Sequence, residues 1–479
     1  MAPKDIVQLM KNPSEMDKLL IVRAFEFAQK AHAEQKRFSG EPYFTHPYEV
    51  AKILAGLNAD AETIAAGLLH DTIEDGVATD EEIRSQFGVN VLFLVEGVTK
   101  LGKLKYQGVE RHVESLRKFF VAMAADVRVI MIRLADRLHN VSTLEHVRPD
   151  KRKRIAIETL EIYAPLANRL GMWRIKGMLE DGSFPYAYPE AYKKVVALRK
   201  TKGRETIKRL EKIYRTLGRE LAERGHKDFQ IDYRVKYLYS LYKKLLDHNM
   251  DIERIYDISA LRLIVTTEEE CYQALGVVHS LWRPVPGRLR DYISSPKPNG
   301  YKSIHTAIFT SDGSVAEIQI RTKAMQEEAE YGNAAHLAYA ESGKPAEGGK
   351  LPRSLKWIQE LIEWQKHVHE HEEFLTGLKT DFFQDRIFVF TPKGEVIELP
   401  AGATPIDFAY SIHSDIGNHT SGAKVNGKFV ALHTPLEQGD IIEIETKKAS
   451  KPSHKWLEYA KTAGARKHIR MSLQKDLKK

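Results

Sequence analysis

The sequence predicts a multidomain α+β protein: an all-α N-terminal domain, an α/β middle domain and a small β-rich domain towards the C-terminus. Three observations carry this. At 479 residues the chain is too long for one core and suggests roughly three domains. Apolar residues recur at helical spacing within residues 1–195, as in Ile64 and Leu68 and again in Val127, Ile130, Met131, Leu134, Leu138 and Val141. Short β-type runs begin only after about residue 230, and turn pairs separate the later ones.

The elements follow in order. Residues 1–195 read as the helical domain. Residues 196–345 open with helical material and then carry the runs Leu261–Val265, Thr306–Thr310 and Ala316–Thr322, the pattern of an α/β domain. The Gly, Pro and Lys of Ala340–Pro352 mark a linker, and residues 346–384 continue into a charged helix with Trp357 and Trp364. Residues 385–446 hold strands such as Arg386–Phe390 and Ile441–Ile444, divided by the turn signals Pro392-Lys393-Gly394 and Asn426-Gly427. The basic tail, 447–479, reads as the start of another helical region.

Composition narrows the class. With 43% hydrophobic and 29% charged residues the chain is globular, not disordered. Met1–Lys18 lacks the apolar run of a signal peptide and no later stretch reaches membrane-spanning length, so the expectation is a cytoplasmic protein with no membrane partner. The single cysteine, Cys271, excludes an intrachain disulfide and a cysteine-rich zinc module; any metal must use His and carboxylates. The net charge of +8 favours polyanionic partners, nucleotides or RNA alike.

Two separate clusters carry chemistry. In the first, His70-Asp71 closes the apolar helix that includes Ile64 and Leu68, and Glu74 and Asp75 follow at four-residue spacing, which would place them on shared helical faces. Asp136, Asn140 and Thr143 form a polar stripe beside the apolar one, so two helices can aim polar groups at one point. With His46 the set offers two imidazoles and two carboxylates, a donor set suited to Mn²⁺ rather than to a closed structural zinc site. Such an ion activates water, and Glu74-Asp75 can orient that water or take its proton. Read alone, the same residues also fit helix caps and surface ion pairs.

In the second cluster, strand alternation puts Glu317, Gln319 and Arg321 on one face of Ala316–Thr322. With Asp257, ahead of the next run, Glu317 can hold Mg²⁺ on a triphosphate. Arg234, Lys236, Lys243, Lys244, Arg288, Arg290 and Lys297 supply phosphate-binding cations, no Walker A sequence occurs, and Tyr301 after the Asn299-Gly300 turn can stack on a base. The alternative is a generic basic surface with a core tyrosine.

The segments Arg37-Phe38-Ser39-Gly40-Glu41-Pro42-Tyr43, Thr45-His46-Pro47, His70-Asp71 with Glu74-Asp75, and Leu134-Ala135-Asp136-Arg137-Leu138-His139-Asn140 resemble the HD hydrolase domain of Rel/SpoT-type (p)ppGpp synthetase/hydrolases. The resemblance implies Mn²⁺ on His46, His70, Asp71 and Asp136, water activation by Glu74 and Asp75, and nucleotide contacts from Arg37 and Asn140. Gly287–Ile293, Pro296–Thr306 and Glu317–Thr322 resemble the synthetase domain of the same family, a nucleotidyltransferase-like fold that moves the β,γ-diphosphate of ATP to the 3′-hydroxyl of GDP or GTP. It implies Asp257 and Glu317 for Mg²⁺ and hydroxyl activation, Arg234, Lys236, Ser240 and Lys244 for ATP, and Lys297, Asn299, Tyr301 and His305 for guanosine, with Tyr301 on the base. Gln319 shares the Glu317 face. Arg288-Leu289-Arg290-Asp291 keeps the basic charge of bifunctional members but not their Arg-Phe-Lys-Asp sequence, which leaves GDP or GTP open as acceptor.

Gly402–Tyr410 and Ile412-His413-Ser414 resemble the TGS domain of long family members, which implies contact of His413 with uncharged tRNA on the ribosome; the bland alternative is a histidine that caps a turn. Long members continue into zinc-finger and ACT-like regions that this sequence lacks, so a shortened chain is expected. The favoured reading is a bifunctional enzyme that makes and destroys (p)ppGpp in the stringent response, with its two sites antagonistic. A hydrolase with a vestigial synthetase and a non-catalytic ribosome or tRNA adaptor are the alternatives.

Overall fold

The computed structural model describes residues 1–102, 109–332, 356–368, 370–384 and 386–477. They fall into two compact units, Met1–Pro296 with Gly300–Ile362, and Lys297–Asn299 with Glu363–Lys479. The expected linker Ala340–Pro352 lies outside the described residues.

The first unit opens with ten α-helices among the described residues. They are α1 (Pro3–Val7), α2 (Glu15–Ala31), α3 (Thr45–Gly56), α4 (Ala61–Leu69) and α5 (Asp80–Gly102). After these come α6 (Val109–Ala125), α7 (Arg128–Ser142), α8 (Pro149–Glu158), α9 (Ala164–Arg169) and α10 (Trp173–Ala187). Local chemistry starts them: Ser14 and Asp17 cap α2 reciprocally, and Asp60 Oδ1 accepts from Thr63 N at 2.7 Å to open α4. Ile64 and Leu68 are fully buried with Leu54, Val91 and Leu94 in one core, each worth roughly 1.5–3 kcal/mol of burial. Gly67 lets α4 lie so close to α3 that a Cβ there would collide with Leu54. That hairpin brings the first turn of α3 beside the last turn of α4. Val129, Met131, Ile132 and Ala135 seat α7 on the same core.

The expected boundary between residues 195 and 196 falls inside one continuous helix, α11 (Pro189–Glu223). Its early part shares a core with Phe184 of α10 and with Leu241 and Leu245 of α12 (Leu238–Asp247), whereas Leu210, Ile213, Leu217 and Leu221 pack on a sheet. α13 (Glu268–Leu281) covers the same sheet face, and α14 (Lys323–Tyr331) follows the last strand.

The sheet contains β1 (Gln230–Val235), β2 (Ser259–Val265), β3 (Arg290–Asp291), β4 (Ile304–Phe309) and β5 (Val315–Thr322) in the order β1-β2-β5-β4-β3, with only β2 and β5 parallel. Its long strands contain the three runs expected from the sequence, shifted by one or two residues. Leu261, Leu263, Ile318, Ile320 and Ile304 enter the core. The register pairs Ala260 with Glu317, Arg262 with Gln319, and His305 with Gln319, so the opposite face gathers Asp232, Arg234, Arg262, His305, Glu317, Gln319 and Arg321.

In the second unit, β6 (Arg386–Phe390) and β7 (Val396–Pro400) form a hairpin, and β10 (Ile442–Thr446), β8 (Thr420–Val425) and β9 (Lys428–Val430) form a three-stranded sheet in that order. The two-residue β8–β9 turn places Asn426 at φ 51° and Gly427 at φ 78°, the left-handed pair such a turn demands. Buried Asp407 accepts from Thr404 N at 2.9 Å and from Thr462 N at 2.8 Å, tying helix Pro405–Ile412 to the tail that continues as Ala463–Leu477.

Candidate active sites

The first cluster assembles where α3, α4 and α7 meet. His46 Nε2 lies 3.3 Å from Asp136 Oδ1 and 3.6 Å from Asp71 Oδ2, and the rings of His46 and His70 are 5.2 Å apart. One donor atom each from His46, His70 and Asp136 falls within 4.8 Å of the others, and all three residues are buried. His70 Nδ1 sits 2.8 Å from the Gly67 carbonyl, which can only accept, so the proton is on Nδ1 and the Nε2 lone pair is free. That Nε2 is buried without a hydrogen bond among the described residues, although Asp71 Oδ1 is 3.2 Å away. An unsatisfied imidazole nitrogen facing carboxylates is what a divalent cation requires, so the donor set fits one.

Electrostatics separates the carboxylates. Burial opposes ionisation of Asp136, yet the Arg133 guanidinium, 3.1 Å away, helps hold it below the usual carboxylate range. Burial pushes Glu74 up to about 6 against the pull of Arg133, and burial followed by the Asp71 charge raises Asp75. The Tyr43 hydroxyl donates to Asp71 Oδ2 at 2.8 Å. Burial, with the charge of Arg37 beside it, takes His139 down to about 3, so its ring is neutral.

One expected geometry differs. Glu74 and Asp75 do not continue a helix from His70, because α4 ends at Leu69. Residues 70–76 form turns in which Asp75 N donates to Asp71 O at 2.8 Å, while Thr72 O accepts from Val77 N at 3.0 Å. Gly76, at φ 71°, takes the left-handed conformation by which the chain leaves.

The second cluster lies on the polar sheet face. Asp257 Oδ2 accepts from Lys236 and from Lys244 Nζ, at 2.5 and 2.6 Å. Burial raises Asp257, but the two ammonium groups outweigh it and hold the carboxyl at about 2. Burial takes Lys236 down to about 8, since it shares that one carboxylate with Lys244. Asp257 Oδ1 is buried without a hydrogen bond among the described residues.

Across the sheet His305 Nδ1 lies 3.2 Å from Glu317 Oε1, and Gln319 Nε2 donates to the same oxygen at 2.8 Å. Against the cost of burial, these partners hold Glu317 at about 2. Arg321 Nη2 donates to Tyr301 OH at 2.7 Å and to Gln319 Oε1 at 2.9 Å, and the Trp173 ring stands 5.3 Å from that of Tyr301.

The expected residues are not all gathered. Ser240 and Lys243 turn to Glu180 of α10, Arg290 donates to the carbonyls of Gly287 and Leu289, and Arg288 lies over the Tyr256 ring at 5.9 Å. Arg234 stands on the polar sheet face. Lys297 and Asn299 are half-buried in the stretch between β3 and β4. Arg37 donates to His139 Nδ1 at 3.0 Å and to Thr143 Oγ1 at 3.2 Å, and Asn140 Nδ2 donates to Asp136 Oδ1 at 2.5 Å. His413 is exposed, and its Nδ1 accepts from Asp415 N at 3.2 Å, capping the next helix. Sequence reasoning missed Glu180 and Asp181, whose carboxylates take Ser240, Lys243 and the backbone N–H groups of Leu238 and Tyr239. Nothing local distinguishes that pair.

Family models match three separate stretches: an HD domain over residues 24–173, the region found in RelA / SpoT proteins over 233–344, and a TGS domain over 387–446. The chain is 48% identical over 455 residues to the guanosine-3′,5′-bis(diphosphate) 3′-pyrophosphohydrolase of Aquifex aeolicus, covering 95% of this chain and 64% of that protein. It is 45% identical over 458 residues to the bifunctional (p)ppGpp synthase/hydrolase SpoT of Escherichia coli K12, covering 95% and 65%. The chain carries the region found in RelA / SpoT proteins. It also shares 48% identity over 455 residues with a GTP pyrophosphokinase of Myxococcus xanthus, covering 94% of the one and 60% of the other. It thus spans between 60% and 65% of the length of these three curated relatives. A solved small alarmone synthetase 1 of Bacillus subtilis, bound to pppGpp, is similar over 34% of this chain and 91% of its own at 23% identity and a TM-score of 0.24. An HD domain implies a divalent metal, and the His46, His70 and Asp136 donors fit one. No helix among the described residues is long and apolar enough to cross a membrane.

Proposed function

We propose that this chain is a cytoplasmic bifunctional alarmone enzyme that makes (p)ppGpp from ATP and GDP or GTP and hydrolyses its 3′-diphosphate. The observation that carries the reading is the coexistence of two separate carboxylate clusters, His46/His70/Asp71/Asp136 and Asp257/Glu317, each with a buried ligand atom that has no hydrogen bond among the described residues. The names of the relatives, a hydrolase, a pyrophosphokinase and a bifunctional enzyme, support it.

In hydrolysis, His46, His70, Asp71 and Asp136 would hold Mn²⁺, which when bound supplies Lewis acidity to water and phosphate. Asp75 and Glu74 take the proton of the attacking water as its oxygen bonds to the 3′-linked phosphorus. The bond from that phosphorus to the ribose 3′-oxygen breaks, and diphosphate leaves GDP or GTP. Arg37 and Asn140 orient the nucleotide. In synthesis, Asp257 and Glu317 would hold Mg²⁺. Arg234, Lys236, Ser240 and Lys244 take ATP, with Arg288 and Arg290 adding positive charge. Lys297, Asn299, Tyr301 and His305 position guanosine with Gln319 beside them, and Glu317 receives the hydrogen bond of the 3′-hydroxyl. That oxygen attacks the β-phosphorus, and AMP departs. His413 and the TGS domain serve contact with uncharged tRNA on the ribosome. The two sites act in opposition, so nucleotide filling one lowers turnover at the other.

The test is product analysis by anion-exchange chromatography, with ATP plus GDP and Mg²⁺ in one assay and ppGpp with Mn²⁺ in another. Asp71→Ala should lose only breakdown and Glu317→Ala only synthesis. Wild-type breakdown without synthesis would favour a vestigial synthetase, and neither reaction would favour an adaptor.

A further inference from the structure

One imidazole nitrogen joins the first cluster to an arginine. His139 Nδ1 lies 3.0 Å from Arg37 Nη1 and 2.8 Å from His46 Nδ1. A guanidinium has only donors, so His139 Nδ1 accepts from Arg37 and carries no proton. The His46 Nδ1 that faces the same lone pair must therefore be protonated, in a three-centre arrangement with Arg37. In the neutral form that ligates a cation His46 holds only that one proton, which leaves its Nε2 lone pair free on the side of Asp136 and Asp71, 3.3 and 3.6 Å away.

We propose that His139 is a positioning residue that sets the tautomer of His46 and presents the His46 Nε2 lone pair to a divalent cation. The surroundings fix the arrangement. His139 is buried on α7, three residues after Asp136, and Thr143 Oγ1 accepts the second Arg37 nitrogen at 3.2 Å. His70 reaches the same tautomer by another device, the Gly67 carbonyl at 2.8 Å. A ligating histidine usually leans on a carboxylate or carbonyl; here the acceptor is a second histidine whose own tautomer Arg37 dictates.

The proposal rests on reading the first cluster as a metal site, and its test separates the two claims. Calorimetric titration of the full chain with MnCl₂ compares wild type, His46→Ala, His139→Leu and His139→Asn, with melting in EDTA as the check on folding. His139→Leu removes the acceptor and should weaken Mn²⁺ binding by about 10–100-fold, the usual loss for a partner of a metal ligand. His139→Asn, whose amide oxygen stands where Nδ1 was, should keep most of the affinity. Wild-type affinity in His139→Leu, or equal loss in both variants, would overturn the proposal while leaving the metal site intact. Equal Mn²⁺ binding by wild type and His46→Ala would overturn both. A measurement on the unaltered fold covers the case in which His139→Leu does not fold. In the ¹⁵N-histidine spectrum of the metal-free wild type, the signals absent from His46→Ala should show the Nδ1–H tautomer; an Nε2–H tautomer would refute it.

Discussion

The Ser240 hydroxyl donates to Glu180 Oε2 at 3.0 Å, while Lys243 holds the other oxygen of that carboxylate at 2.8 Å. Glu180 is 3% exposed and belongs to α10, whose Gly182 packs on Val141 of α7 so closely that a Cβ would collide. One helix therefore touches both the helix that carries Asp136 and the helix that carries Ser240, Lys243 and Lys244. Glu180→Gln removes the charge that competes with a triphosphate for Lys243 and Ser240. The KM for ATP should fall severalfold, and stability should drop by roughly 1–3 kcal/mol for a weakened buried network. Initial-rate kinetics and urea unfolding read the two effects; an unchanged KM would reject the competition.

Hydrolysis should depend on pH through Glu74, whose carboxyl burial raises to about 6. A proton acceptor works only when ionised, so the kcat for ppGpp breakdown should fall at acid pH and level off above it, and because a bound dication favours the carboxylate the midpoint at saturating Mn²⁺ should lie below about 6. Glu74→Gln should flatten that limb. The stability sign is opposite: the unfolded carboxyl ionises first, near 4.5, so between 4.5 and about 6 the unfolded state binds fewer protons and Glu74 lowers stability as pH rises.

Asp257 and Glu317 act the other way. Both are held at about 2, below the 3.8 and 4.5 of free carboxyls, so their contribution is complete above the unfolded values and is lost as pH falls towards about 2. Each is worth on the order of 2–3 kcal/mol. Urea midpoints should drop between pH 6 and pH 3 in wild type and drop less in Asp257→Asn and Glu317→Gln, with both variants already weaker at pH 6 because their partners lose a charge.

Tyr301 separates ring from hydroxyl. Its oxygen accepts from Arg321 at 2.7 Å and meets His305 Nε2 at 2.8 Å, while its ring lies 5.1 Å from the Arg321 guanidinium carbon. Tyr301→Phe should cost roughly 1–3 kcal/mol of stability, because a buried arginine loses an acceptor. Tyr301→Ala also removes the stacking surface and should raise the KM for GDP about tenfold or more, the loss expected for a base–aromatic contact. Breakdown of ppGpp should be unchanged in both. Equal KM values for Phe and Ala would deny the ring its role.

Periodicity read well wherever one face of an element is buried. Alternation in Ala316–Arg321 put Glu317, Gln319 and Arg321 on one face, and the register of β5 between β2 and β4 keeps them there. The stripe Asp136, Asn140 and Thr143 spans α7 and its C-cap as the 3.6-residue period requires. The turn after His70 did not read correctly, because spacing alone cannot say where a helix stops, and Gly76 permits an exit that the pattern does not announce.

The sequence by itself determined the three kinds of domain, the donor types of both clusters and the family motifs that join them, because those depend on residue identity and local period. Tertiary structure alone decided which partners those donors hold. Lys236 and Lys244 share Asp257; Ser240 turns to Glu180; His139, a motif letter in the sequence, touches His46. Such pairings come from residues 13 to 93 positions apart, brought together by the packing of α3, α7, α10 and α12, and no period within a single segment encodes them.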